Sequence, residues 1–227
     1  RTIIADANLF LAYDPGNKNT YLRYSYDGIF PNTGEYCDSK IDPQRWARMR
    51  DILGLSLKPW KKHGDYILIT CQRDGGWSMN GQSVIEWLHL LLMKLKNLTD
   101  RTIMVRFHPG DKKNHKHMMQ LQAIGHKVRF SSPSVSSLKE LHDAYAVISH
   151  NSSPGVVSAI EGVPIFLLDP ERSQAKDVAN INLRNIEKPN YDFDREGWLR
   201  RLAMSHWRLD EIRSGECWRH MKQWVKR

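Results

Sequence analysis

Thr102-Ile103-Met104-Val105-Arg106-Phe107-His108-Pro109-Gly110 and Ala146-Val147-Ile148-Ser149-His150-Asn151-Ser152-Ser153-Pro154-Gly155 decide the fold. Each is a short apolar run that ends in polar residues and a proline. A continuous apolar run of this length fits a strand buried on both faces, as in a parallel sheet covered by helices. The polar residues then sit at the carboxyl end of the strand, where open α/β sheets bind ligands. The second run continues through a short apolar helix to Glu161-Gly162-Val163-Pro164.

The same alternation extends on both sides. Tyr66 to Cys71 reads as a buried strand, followed by a Gly-rich loop, Asp74-Gly75-Gly76-Trp77. Ser83 with Glu86 forms a capping-box pattern for a helix through about Asn97. Asn114 to about Ile124 reads as a helix closed by Gly125, Lys127–Phe130 as a short strand, and Ser136–Tyr145 as a helix. Pro154–Ile160 is a short helix and Pro164–Leu168 the last strand. Two further helices, about Arg195–His206 and Leu209–Trp224, close the chain. Strands alternating with helices require crossover connections and a mostly parallel sheet. The expected fold class is α/β: a Rossmann-like sheet flanked by helices over residues 65–227, after a short irregular region, 1–64. That first region has one clear helix, capped by Asp42, opened by Pro43 and ending near Leu53 before Gly54.

Composition narrows the class. The chain has 227 residues, 41% hydrophobic and 26% charged, enough for a real core and ordinary for a globular protein. No run approaches the ~18 apolar residues of a spanning helix. The start, Arg1 to Asp6, lacks a signal-peptide pattern and an initiator Met, which reads as a processed or trimmed chain. Cys37, Cys71 and Cys217 are odd in number and form no CxxC pair, so reduced thiols and a cytoplasmic location are expected. Thirty-four Lys and Arg against 25 Asp and Glu leave a formal charge of +9. Such an excess attracts polyanions.

Free N–H groups at a helix start favour an anion, and Ser152 and Ser153 add hydroxyl donors beside Asn151. Helix capping alone would account for one serine. Arg106 and His108, two apart at a strand end, share one face. His108 can donate to a phosphate oxygen or protonate a leaving phosphate. A carboxylate at Glu161 can hold ribose hydroxyls, as acidic residues do in dinucleotide folds. Gln72, Arg73 and Trp77 lie on the loop after the first buried strand, in reach of a donor or acceptor, with Trp77 alternatively a core residue. Lys112 and Lys113 follow the His-Pro motif, and Lys61 and Lys62 lie beside Trp60; basic residues near aromatics suit a nucleic-acid backbone.

Arg106-Phe107-His108-Pro109 and Asn151-Ser152-Ser153 resemble the His-Pro and serine motifs of bacterial sialyltransferases and capsule-polysaccharide transferases. Ser149 to Pro164 is similar to the nucleotide-sugar half of GT-B glycosyltransferases, and Trp198 to Gly215 to the tail of capsule-biosynthesis transferases. The resemblance covers roughly Asp65 to Trp218. It implies that His108, Ser152 and Ser153 contact donor phosphates, with no cofactor beyond a nucleotide-sugar co-substrate and no metal. Tyr24-Ser25-Tyr26-Asp27-Gly28 is similar to a motif whose carboxylate serves as base in some sialyltransferases. Asp27 is therefore the expected base, with Glu35 in reserve. A complete GT-B enzyme has two Rossmann domains, and some 64 residues are too few for a second, so a reduced acceptor side is expected. The likeness implies a capsule or lipopolysaccharide acceptor, whereas a compact basic chain points to DNA, such as hydroxymethylated bases of a phage genome. A non-catalytic nucleotide- or nucleic-acid-binding module, and a polyol-phosphate transferase or epimerase, are the other classes these residues allow.

Overall fold

The computed structural model describes residues 1–132 and 134–225. Its strands are β1 (Ile3–Ala7), β2 (Tyr21–Tyr26), β3 (Tyr66–Thr70), β4 (Thr102–Arg106), β5 (Arg129–Phe130), β6 (Ala144–Ser149), β7 (Ile165–Leu167) and β8 (His206–Arg208). Its helices are α1 (Pro43–Leu53), α2 (Val84–Leu95), α3 (Asn114–Ile124), α4 (Ser137–Asp143), α5 (Pro154–Ile160), α6 (Arg195–Ser205), α7 (Leu209–Arg213) and α8 (Glu216–Met221).

The chain forms two compact units, residues 58–193 and residues 1–57 with 194–227. This differs from the expected division at residue 64, which assigned the whole C-terminal segment to the Rossmann-like part. The cause is long-range pairing. His206–Arg208, read from sequence as the junction of two helices, is a strand that pairs antiparallel with Tyr21–Arg23. Arg45 of α1 reinforces the link: its buried guanidinium donates to the carbonyls of Ala203 and His206, pairs with Glu211 at 2.9 Å, and lies over the Trp207 ring. A buried arginine is tolerable only when its donors are satisfied in this way. The N-terminal region is also less irregular than expected. β1 pairs antiparallel with β2, and with β8 they make a three-stranded sheet in the order β1-β2-β8.

In the larger unit all strands are parallel, in the order β5-β4-β3-β6-β7. This is the α/β Rossmann-like class expected. β3 and β6 are buried along their whole length, which explains their unbroken apolar runs, while β4 alternates. The stripe Val84, Leu88, Leu91, Leu92 and Leu95 buries one face of α2 in a core with Ile67, Ile69, Val105, Leu121, Ile148 and Phe166. The helix expected over Ser136–Tyr145 stops at Asp143. Ala144 and Tyr145 join β6 instead, where Ala144 stands opposite Tyr66.

Candidate functional site

β3 is the first strand of the larger unit. Its successors β4 and β5 lie on one side and β6 and β7 on the other. The winding therefore reverses between β3 and β6, and the crevice beyond their carboxyl ends is the topological switch point where such sheets bind ligands. The loops after β3, β4, β6 and β7 meet the solvent there.

A hydrogen-bonded bridge spans the switch point. Gln72 Nε2, after β3, donates to Asn151 Oδ1, after β6, at 2.6 Å. Asn151 Nδ2 donates in turn to the Ser78 carbonyl at 3.0 Å and to Asp169 Oδ2, after β7, at 2.9 Å. Asn151 is thus buried and fully engaged in tying three loops together. Around it, Thr70 Oγ1, Gln72 Oε1 and His150 Nδ1 are buried polar atoms with no hydrogen-bond partner.

The His-Pro loop is locked to the loop after β3 by two aspartates. Asp111 N donates to the His108 carbonyl, Asp111 Oδ2 accepts from Asp74 N, and Asp111 Oδ1 accepts from Lys113 N, each at 2.9 Å. Asp74 Oδ1 accepts from Val84 N at the start of α2, and its other oxygen pairs with Lys113 Nζ at 2.7 Å. The Lys113 hydrogen bond, then that from Val84, holds the Asp74 carboxyl below its ordinary value.

Within this frame His108 and Arg73 stand together. Gly110 N donates to His108 Nδ1 at 2.9 Å, so the neutral ring carries its proton on Nε2. Burial, then the Arg73 charge, lowers the His108 pKa, opposed by Asp111. Arg73 has an exposed guanidinium that no carboxylate pairs with among the described residues. It packs on Gly110, where an added Cβ would come within 2.6 Å of its Nη2 atom. Glycine at this position lets the cation lie against the loop.

The serine motif supplies hydroxyls. Ser149 Oγ and Ser152 Oγ share a hydrogen bond of 2.6 Å. Ser153, at the cap of α5, is exposed and makes no capping bond with its side chain. Glu161, just past α5, is buried and paired with Lys58. Gly162 follows at φ 73°, and any side chain there would collide with the Pro59 carbonyl.

Other expected residues lie elsewhere or are occupied. Arg106 bonds to Glu140 at 2.6 Å and to Ser131 and the Val135 carbonyl, a part-buried ion pair that holds β4 to α4. Lys61 donates to the carbonyls of Leu141 and His142, and Lys113 is held by Asp74. Lys62 and Lys112 are exposed. Asp27 and Glu35 belong to the smaller unit. Asp27 sits at φ 66°, accepts from Thr2 N at 2.9 Å and lies 3.8 Å from Arg1. Glu35 accepts from Cys37 N. Asp74, Asp111 and Asp169 were not singled out from sequence. The only local signals were Asp74 before Gly75-Gly76 and Asp111 after Pro109-Gly110.

No family model and no curated protein sequence matches the chain. Solved structures do. The fold is shared with two sugar transferases. Thermosulfurimonas dismutans KpsC, beta Kdo 2,7 transferase, superposes with a TM-score of 0.54 at 16% identity, over 80% of this chain and 63% of that one. Thermosulfurimonas dismutans KpsC, beta Kdo 2,4 transferase, superposes with a TM-score of 0.51 at 11% identity, over 82% of this chain and 64% of that one. This chain thus spans under two thirds of the length of either. The likeness supports the GT-B-type, Rossmann-like expectation for the fold. Among the described residues no helix is long and apolar enough to cross a membrane.

Proposed function

We propose that the chain is a glycosyltransferase that moves a sugar from a nucleotide donor to a hydroxyl acceptor. The observation that carries this reading is the Arg73 guanidinium, without a carboxylate partner, set against Gly110 beside a His108 that offers an Nε2–H. An uncompensated cation next to a neutral N–H donor at a switch point suits the phosphate of a nucleotide.

In the proposed reaction the acceptor hydroxyl oxygen attacks the anomeric carbon as the bond to the phosphate oxygen breaks. The electron pair leaves with the nucleotide. Arg73 and the Nε2–H of His108 stabilise the charge that develops on the phosphate, and the Ser152 and Ser153 hydroxyls are its further donors. Glu161, the sequence candidate for the ribose hydroxyls, is left out of the donor set because it is buried and paired with Lys58. The proton of the acceptor passes to a carboxylate base. Arg106 is left out of the donor set, because Glu140 already neutralises it. The preferred acceptor is a glycan rather than DNA: two of the four lysines considered for a polyanion are spent on the protein's own atoms.

Hydrolysis and transfer assays with UDP-, CMP- and GDP-sugars, with glycan and with hydroxymethylated DNA present in separate arms, test the reading. Turnover with one donor class that falls on Arg73→Ala is expected. Nucleotide binding without turnover of any donor would leave a binding module instead.

A further inference from the structure

Six large apolar side chains of the larger unit are exposed among the described residues, and four of them, Leu90, Met93, Met119 and Ile124, lie on α2 and α3. The other two are Trp77 and Ile181. Single exposed apolar residues are ordinary, so the grouping is what counts. β3, β4 and β5 follow one another across the sheet, and right-handed crossovers between them put α2 and α3 on the same sheet face. Leu88, Leu91 and Leu95 of α2 and Leu121 of α3 enter one core beneath them. The outward positions recur at helical spacing: Leu90, Met93, Lys94 and Asn97 on α2, and Lys116, Met119, Gln120 and Ala123 on α3. His89 Nδ1 and His126 Nε2, 2.8 Å apart, join α2 to the segment just past α3. That contact brings their chain neighbours Leu90 and Ile124 to the same seam.

The same layer is strongly basic. Residues 112–130 contain no Asp or Glu, and residues 84–99 contain only Glu86. Lys94, Lys96, Lys116 and Lys127 are exposed, and no carboxylate pairs with them among the described residues. Burial, then His89 and Lys96, lowers the His126 pKa, which sets Lys96 near the seam as well. We infer that the outer face of α2 and α3 docks on an anionic lipid surface. Leu90, Met93, Met119 and Ile124 enter the boundary between headgroups and acyl chains, and the lysines meet the headgroup phosphates. The charge and the apolar groups together select this occupant. A second copy of the chain would set like charges against each other. A nucleic acid would engage the lysines but leave four aliphatic side chains unmatched, because its backbone binds by charge and its bases stack on aromatics. An anionic lipid surface uses both. Among the described residues no helix is long and apolar enough to cross a membrane, so the attachment these residues provide is interfacial. None of them belongs to the donor set, so the attachment is independent of the glycosyl-transfer reading.

Co-sedimentation of the full chain with lipid vesicles tests this, with phosphatidylcholine alone and with an equimolar mixture of phosphatidylcholine and phosphatidylglycerol. Two variants accompany the wild type. One combines Leu90→Ser, Met93→Ser, Met119→Ser and Ile124→Ser, and the other combines Lys94→Gln, Lys116→Gln and Lys127→Gln. Wild type should bind the anionic vesicles at least about tenfold more tightly than the neutral ones, and high salt should release it. The serine variant should bind the anionic vesicles about tenfold more weakly or worse, and the glutamine variant about a hundredfold more weakly. All the changed side chains are exposed, so both melting temperatures should stay near that of wild type. Should the serines unsettle a helix, the glutamine variant decides alone. No binding of wild type to anionic vesicles, equal binding to both vesicle types, or wild-type affinity in a folded variant would overturn the inference. So would a dimer in sedimentation velocity that the serine variant abolishes, or binding of duplex DNA in place of the vesicles.

Discussion

The backbone N–H of Gly110 donates to Nδ1 of His108 at 2.9 Å, and that bond fixes which nitrogen of the ring faces a ligand as a donor. A neutral imidazole with Nδ1 occupied as acceptor must carry its proton on Nε2. Protonating the ring would place a second N–H on Nδ1, against the Gly110 amide. Burial and the Arg73 charge both disfavour that state.

One expected outcome concerns pH. The folded-state pKa of His108 lies below its ordinary value, so the neutral, donating form persists through neutral pH and is lost as pH falls through the lowered pKa. Nucleotide affinity measured by calorimetry should be flat from pH 8 to about pH 6.5, the unperturbed histidine value. His108→Ala should lower affinity at every pH in that range by about tenfold, the scale of one hydrogen bond to a charged group.

Gly110→Ala tests the placement of Arg73. The new methyl group would press on the guanidinium, which must swing away. Donor affinity should fall about tenfold, with the melting temperature nearly unchanged because the loop is exposed. A Gly110→Ala variant that binds nucleotide as tightly as wild type would show that Arg73 does not need this seat.

Glu140→Gln separates the role of Arg106 from that of Arg73. Removing the charge leaves a partly buried guanidinium without its counter-ion, which costs about 3 kcal/mol or more. Denaturant unfolding should show that loss, while nucleotide affinity of the folded protein stays at the wild-type value.

His206 of the smaller unit predicts an acid-sensitive fold. It is completely buried, donates from Nδ1 to the Leu202 carbonyl and accepts from Leu9 N at Nε2. Burial lowers its pKa from 6.5 to about 3. Below the unfolded value the unfolded chain binds a proton that the folded chain refuses. Stability therefore falls as pH drops from 6.5 toward about 3, by up to about 1.4 kcal/mol per pH unit for one such group. The difference in slope between wild type and His206→Gln, followed by denaturant unfolding across that range, isolates the contribution.

The larger unit was legible because its signals are local. β3, β4 and β6 are continuous apolar runs, α3 ends at Gly125, and the polar residues at the strand ends follow directly in the chain. The smaller unit was not, because β2 gains its partner β8 across almost the whole chain and His206–Arg208 has no strand-like pattern of its own. Within the site, sequence named His108, Arg73, Gln72 and Asn151. It did not foresee that Arg106 would be neutralised by Glu140, 34 residues away. Nor did it foresee that Asp74 and Asp111, 37 apart, would lock the two loops. Spacing along the chain says which residues reach a strand end, and only the packed structure says which charges remain uncompensated there.

In the proposed reaction Arg73 and His108 receive the phosphate of a nucleotide donor at the switch point. Calorimetric titration of UDP, CMP and GDP into wild type and Arg73→Ala tests it most directly. Wild type is expected to bind one of these nucleotides, and Arg73→Ala to weaken that binding by about tenfold or more, the loss of one charge-assisted contact. Equal affinity in the two proteins, or no binding of any nucleotide by wild type, would contradict it.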